Sequence, residues 1–192
     1  VSETLDQKWF DQQLAAVRTN ELAHPEFTSD ISVARKAAVV VVPKVSTLDE
    51  LKACQDALQG SAAKLWVMIE TPLGIINVRE IAAQAARVAP SLQAFIIGAN
   101  DLAKASGAPQ VPGRWNMLPW FSEVVLAASA YGLGVLDSVS NNFRELEAFE
   151  AECEQGAALG MAGKTLIHPA QVQGCNRAFG PKAVDIERAE AI

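Results

Sequence analysis

The chain has 192 residues, 50% of them hydrophobic and 20% charged, enough apolar side chain to close one globular core. Its 16 Lys and Arg against 22 Asp and Glu leave a formal charge of −6, the wrong sign for a protein held on phosphate backbones or anionic lipid. The longest uncharged stretches, such as 124–136, fall short of the roughly 20 apolar residues that span a bilayer, so nucleic acid and membrane are excluded as leading partners.

In chain order, a helix is expected over 4–14. Six short apolar runs then alternate with segments of helical period: 15–19 (AAVRT), 38–45 (AVVVVPKV), 65–70 (LWVMIE), 94–99 (AFIIGA), 133–137 (LGVLD) and 165–168 (TLIH). Their starts lie 23 to 39 residues apart, room in each case for a strand, a crossover helix and two loops. This pitch predicts an α/β fold, a TIM (β/α)8 barrel with six of its strands in this sequence and two expected upstream of Val1, the other reading being an open six-stranded sheet with two unpaired apolar edges.

Between the runs, Ser46 with Asp49 three residues on reads as a helix start. Leu48, Leu51, Cys54 and Leu58 form its inward stripe and Gly60 its end. A second helix is expected over 75–88, stopping before Pro90, and a third is opened by Asn142, with Phe143, Leu146 and Phe149 facing inward. Three prolines and a glycine make 108–119 the long loop. The barrel domain is expected over residues 1–180, with 181–192 beginning a further helix. Cys54, Cys153 and Cys175 are odd in number and form no C-x-x-C pair, the pattern of a reduced, cytoplasmic chain.

Barrel enzymes carry their chemistry at the carboxyl ends of the strands. Here every run ends on a polar group: Arg18 and Asn20, Lys44, Glu70, Asn100 and Asp101, Asp137, and His168. Glu70 and Asp101 follow apolar runs and reach the rim of a buried sheet, where an unpaired carboxylate is costly. A divalent cation held by both answers that cost, because Mg²⁺ takes one or two carboxylates and completes its octahedron with water and substrate. A salt bridge to Arg18 or Lys44 is the other solution. With two histidines and no His/Cys cluster, zinc is not expected.

Arg18 presents a planar two-pronged donor for a carboxylate, or else caps and packs. Gly74 either lets backbone approach a ligand at a helix start or simply makes a turn. The triplet Gly163-Lys164-Thr165 ends like a phosphate loop, but Ala158 stands where the opening glycine belongs and a strand is expected to follow, so that reading fails. No serine has the G-x-S-x-G context of a nucleophile.

Taken together, Arg18-Thr19-Asn20, Pro43-Lys44-Val45, the run Ile69 to Gly74 (IETPLG), Gly98-Ala99-Asn100-Asp101-Leu102, and Gly163-Lys164 followed by Ile167-His168-Pro169-Ala170-Gln171 resemble, in order, the motifs of the citrate lyase β-subunit and malyl-CoA lyase family. The resemblance covers about residues 15–180. It implies a TIM barrel that cleaves or forms carbon–carbon bonds in β-hydroxyacyl thioesters, releasing a keto acid. It implies Mg²⁺ on Glu70 and Asp101, with Arg18, Glu70 and Asp101 catalytic. Arg18 would bind the keto acid or acyl carboxylate, and Lys44, Gly74 and His168 are further substrate-binding candidates. The implied partners are a CoA or acyl-carrier thioester and further copies of the chain, a trimer being favoured. A class II pyruvate aldolase and a metal- and acyl-binding scaffold subunit without turnover are the competing expectations.

Overall fold

The structure, a computed structural model, describes residues 14–181. The helix expected over 4–14, except for its last residue, and the segment after Pro181 lie outside these residues. Six strands form one fully parallel sheet in sequential order: β1 (Ala16–Arg18), β2 (Val39–Val42), β3 (Lys64–Ile69), β4 (Leu92–Ile97), β5 (Gly134–Asp137) and β6 (Gly163–Lys164). Helices α1 (Phe27–Ala34), α2 (Leu48–Ala57), α3 (Pro72–Val88), α4 (Ala99–Ser106), α5 (Leu118–Ala130), α6 (Leu146–Ala158) and α7 (Val172–Phe179) cross between or follow the strands. Among the described residues no helix is long and apolar enough to cross a membrane.

Strand alternation splits the sheet into two faces. Val40, Val42, Leu65, Val67, Ile69, Phe95, Ile97 and Val135 pack outward against Leu51, Cys54, Val78, Ile81, Phe121 and Val124 of the helices. On the other face Val39, Val41 and Ile96 gather with Trp66, Met68 and Leu136, strand side chains meeting one another as the sheet curls into a half-barrel. In register along this inner face stand Arg18 beside Val41, Val41 beside Trp66, and Met68 beside Ile96. Two apolar faces explain why β2 is four consecutive valines with no alternation.

Several boundaries differ from the sequence reading. The α2 cap is Thr47, not Ser46: Glu50 donates its N–H to Thr47 Oγ1 (3.2 Å) and its carboxylate accepts the Thr47 N–H (3.1 Å). Ser46 instead shares a 2.6 Å hydrogen bond with Thr71, the cap of α3, and so ties together two neighbouring strand-to-helix loops. Asn142 and Phe143 precede α6 rather than opening it, and Leu146 is exposed, because Asn141 is hydrogen-bonded across to Asn100 and holds this stretch in a loop.

The sixth strand is Gly163–Lys164, and 165–168, expected as that strand, runs past the sheet. The glycine and lysine of the G-K-T triplet therefore are the strand and do not precede it. His168 is a cap: its Nδ1 accepts the Ala170 N–H (3.1 Å) at the start of a 3-10 turn, and its ring stacks on Phe143 at 4.4 Å between centroids.

Asp137 lies on the outward face with Val135 and is fully buried. Arg114 Nη1 donates to both its oxygens (2.8 and 2.9 Å) and Lys164 Nζ to one (2.8 Å), and Lys164 also reaches Glu152 at 3.3 Å. This strand tip therefore belongs to a structural ion cluster and not to the inner face. Removing one member of such a cluster strands the others in low dielectric. Asp137→Ala is expected to lower unfolding free energy by about 3–5 kcal/mol in urea titration, and a loss near zero would show the cluster to be solvated.

Candidate active site

A cleft of about 240 Å³ opens at the carboxyl ends of β1 to β4, lined by Arg18, Thr19, Asn20, Glu21, His24, Pro43, Lys44, Glu70 and Asp101. Four of the residues expected from sequence meet here: Arg18, Lys44, Glu70 and Asp101. Gly74 and His168 do not line it. Gly74 is buried inside the first turn of α3, its N–H donating to Thr71 Oγ1 (2.9 Å), and a methyl there would sit 3.1 Å from the Val45 carbonyl oxygen. Its smallness serves packing of the helix start against the β2 loop.

Glu70 is the centre of the cleft. Alternation carries it to the same face as Trp66 and Met68, and it is only 4% exposed. Its Oε1 accepts the backbone N–H of Lys44 (3.1 Å), and Lys44 adopts φ 56°, a left-handed conformation costly for a residue with a side chain. On the adjoining strand end, Gly98 leaves the space Glu70 occupies: a Cβ on Gly98 would overlap both the Glu70 Cβ and its carboxylate. Gly98 entered the sequence reading only within a motif. The signal for its role is its place one residue after an apolar strand, beside a strand ending in glutamate.

The alternative of a salt bridge to Glu70 or Asp101 is not what the chain adopts. Lys44 Nζ pairs with Glu21 Oε2 at 3.0 Å. Among the described residues the side chains of Arg18 and Asp101 make no hydrogen bond or ion pair, so the Arg18 fork neither caps nor bridges and stands available at the cleft. Glu21 and His24 were missed as lining residues; they follow Arg18-Thr19-Asn20 by one and four positions. Asn20 has a local task, its N–H and Nδ2 donating to Asp30 (2.8 and 2.7 Å).

Burial, and then the negative charge of Asp101, push the Glu70 carboxyl up to about 7 despite the Lys44 N–H and the nearby cations. A buried carboxylate whose nearest like charge is another carboxylate, with no side-chain cation bound to either, is a fitting pair of hard oxygen ligands for Mg²⁺. Among the described residues no group of three or more His, Cys, Asp and Glu is placed to hold a metal. Burial also pushes the Cys54 and Cys153 thiols up to about 12, so neither offers a thiolate nucleophile near neutral pH.

The HpcH/HpaI aldolase/citrate lyase family matches residues 1–169. The chain belongs to this family. It is 38% identical over 188 residues to a (3S)-malyl-CoA thioesterase of Cereibacter sphaeroides, covering 97% of the present chain and 64% of the relative, so it spans less than two thirds of that protein's length. Among solved structures, RipC from Yersinia pestis superposes with a TM-score of 0.82 at 25% identity, over 90% of this chain and 80% of that one. The citrate lyase beta subunit of M. tuberculosis, complexed with oxaloacetate and magnesium, does so with a TM-score of 0.71 at 25% identity, over 86% and 73%.

The raised Glu70 value has a consequence for stability. Between the ordinary carboxylate value near 4.5 and about 7, the unfolded chain has released a proton that the folded chain keeps, so folding becomes less favourable as pH rises through that window and levels off above it. In chelator-treated protein this contribution to the thermal midpoint falls from pH 4.5 to pH 7, and Glu70→Gln removes that part of the decline. An identical pH profile in the variant would show that Glu70 titrates normally.

Proposed function

We propose that the chain carries the core of a Mg²⁺-dependent carbon–carbon lyase acting on a β-hydroxyacyl thioester of the malyl-CoA or citryl-CoA type, releasing a keto acid and an acetyl thioester. The observation that carries this reading is the buried Glu70 carboxylate facing Asp101, with the unpaired Arg18 guanidinium in the same cleft. The magnesium and oxaloacetate of the M. tuberculosis relative support it, as does membership of an aldolase and lyase family. We read the six sequential parallel strands as part of an eight-stranded barrel, an arrangement that would cover both apolar faces.

In this account Glu70 and Asp101 hold Mg²⁺, which when bound supplies Lewis-acid stabilisation to the substrate oxygen that becomes a carbonyl. Arg18 binds the keto acid carboxylate with two parallel hydrogen bonds and fixes its rotation about the cleft. The Lys44 N–H and the space above Gly98 fix the Glu70 rotamer. The Lys44 ammonium stays on Glu21, away from the carboxylate pair. A preorganised set of this kind needs little rearrangement as charge develops on the substrate.

A second reading is thioester hydrolysis, favoured by the 38% identity to a malyl-CoA thioesterase. The two differ in which bond breaks. Lysis of (3S)-malyl-CoA yields acetyl-CoA and glyoxylate, whereas hydrolysis yields malate and free CoA. Chromatography of products formed by the whole protein is expected to show acetyl-CoA and glyoxylate in equal amounts. Malate and CoA alone would assign hydrolysis, and turnover of free aldehydes only would assign an aldolase.

Glu70→Gln and Asp101→Asn are each expected to abolish turnover and calorimetric Mg²⁺ binding with the fold retained, and wild-type metal affinity in either would remove that residue from the ligand set. Arg18→Lys is expected to lower kcat about a hundredfold, the scale of losing one charge-stabilising donor. A rise in KM alone would confine Arg18 to binding.

A further inference from the structure

Asp101 is the third residue of α4, and among the described residues its side chain has no hydrogen bond or ion pair. Its place opposite Glu70 is therefore set by where α4 begins. That beginning is weakly defined by local means: the helix has eight residues, its N-cap is Gly98, and no side chain caps it.

The neighbouring residue supplies the restraint. Asn100 Nδ2 donates to Asn141 Oδ1 (2.9 Å) and Asn141 Nδ2 donates back to Asn100 Oδ1 (2.8 Å). Gln110 Nε2 also donates to Asn100 Oδ1 (2.6 Å), and its own Oε1 accepts from Asn141 Nδ2 (3.2 Å). Three amides thus close a triangle among the first turn of α4, the loop after it and the loop after β5. Each of the two loops is anchored elsewhere. Asn116 Nδ2 donates to the Pro109 carbonyl (2.8 Å), Arg114 locks the first loop to buried Asp137, and Gln171 Nε2 donates to the Ser140 carbonyl (3.2 Å) in the second.

We propose that Asn100, Gln110 and Asn141 are positioning residues that hold Asp101 at the distance from Glu70 a shared divalent cation requires. The inference rests on the reading of Glu70 and Asp101 as cation ligands and adds what sets their spacing. None of the three amides lines the cleft of Arg18, Glu70 and Asp101. They act by joining the uncapped start of α4 to two loops, one fixed on the outer ion cluster through Arg114 and the other held by Gln171. A carboxylate on the residue next to such an anchor cannot drift without breaking several hydrogen bonds together.

Calorimetric titration of the whole protein with Mg²⁺ tests this. Asn141→Ala and Gln110→Ala are each expected to bind Mg²⁺ roughly tenfold more weakly than wild type, the scale seen when groups behind metal ligands are removed. Adding Asn100→Ala to Asn141→Ala is expected to cost little more than either alone, because one closed unit is already open. Circular dichroism of each variant reports folding, and Gln110→Ala, on an exposed loop, carries the test if Asn141→Ala does not fold. Wild-type affinity in the folded variants would overturn the positioning role. Absence of Mg²⁺ binding in wild type would overturn the cation-site reading on which it rests.

Discussion

Everything at the candidate site follows from one uncomfortable charge. Glu70 ends an apolar strand, is almost fully buried, and has the negative charge of Asp101 beside it while, among the described residues, no side-chain cation pairs with it directly. Burying a carboxylate this way costs stability that packing elsewhere must offset. Three features of the chain are organised around keeping it there: the left-handed backbone of Lys44 that aims an N–H at it, the Gly98 surface that has no Cβ to displace it, and the Glu21 carboxylate that engages the Lys44 ammonium. Costly local geometry concentrated on one polar group is what preorganisation for a ligand looks like.

The same strand ends build a second polar centre on the opposite face, and the contrast clarifies both. Asp137 is as buried as Glu70, but Arg114 and Lys164 neutralise it directly. One carboxylate is satisfied by the protein and the other is left for something else. The period of two decides which is which: Leu136 faces the inner cluster, so Asp137 must face the helices, whereas Glu70 follows Met68 onto the inner face. The outer cluster in turn anchors the loop that carries Gln110, so the structural centre and the candidate site are mechanically joined.

Much of this was legible in the sequence. Five of the six strands, and helices including α2 and α3, follow from apolar runs at βα pitch, and Arg18, Lys44, Glu70 and Asp101 follow from asking what each run ends with. A polar or small residue after an apolar run does not reveal which face it takes or which local bond claims it first, so the sequence does not show that His168, Gly74 and Asp137 stand apart from the cleft. His168 caps a turn, Gly74 packs within a helix, and Asp137 points outward. The sixth strand is Gly163–Lys164 and not 165–168 because, among the described residues, Thr165, Leu166 and Ile167 have no partner strand beside them beyond the Thr165 bonds to the Asp137 carbonyl. Contacts between distant residues, such as the Asn100–Asn141 pair, leave no local pattern to read.

The two proposed readings, carbon–carbon cleavage and hydrolysis, differ in which substrate bond breaks, and both rest on the family relation. The claim beneath either choice is that Glu70 and Asp101 share a cation. Crystals of the whole protein grown with Mn²⁺, a stand-in that shares the octahedral oxygen coordination of Mg²⁺ and has a usable anomalous signal, test it directly. The account predicts an anomalous peak about 2.1 Å from a carboxylate oxygen of both residues. A peak elsewhere, or density in which Glu70 and Asp101 ligate nothing, would contradict it.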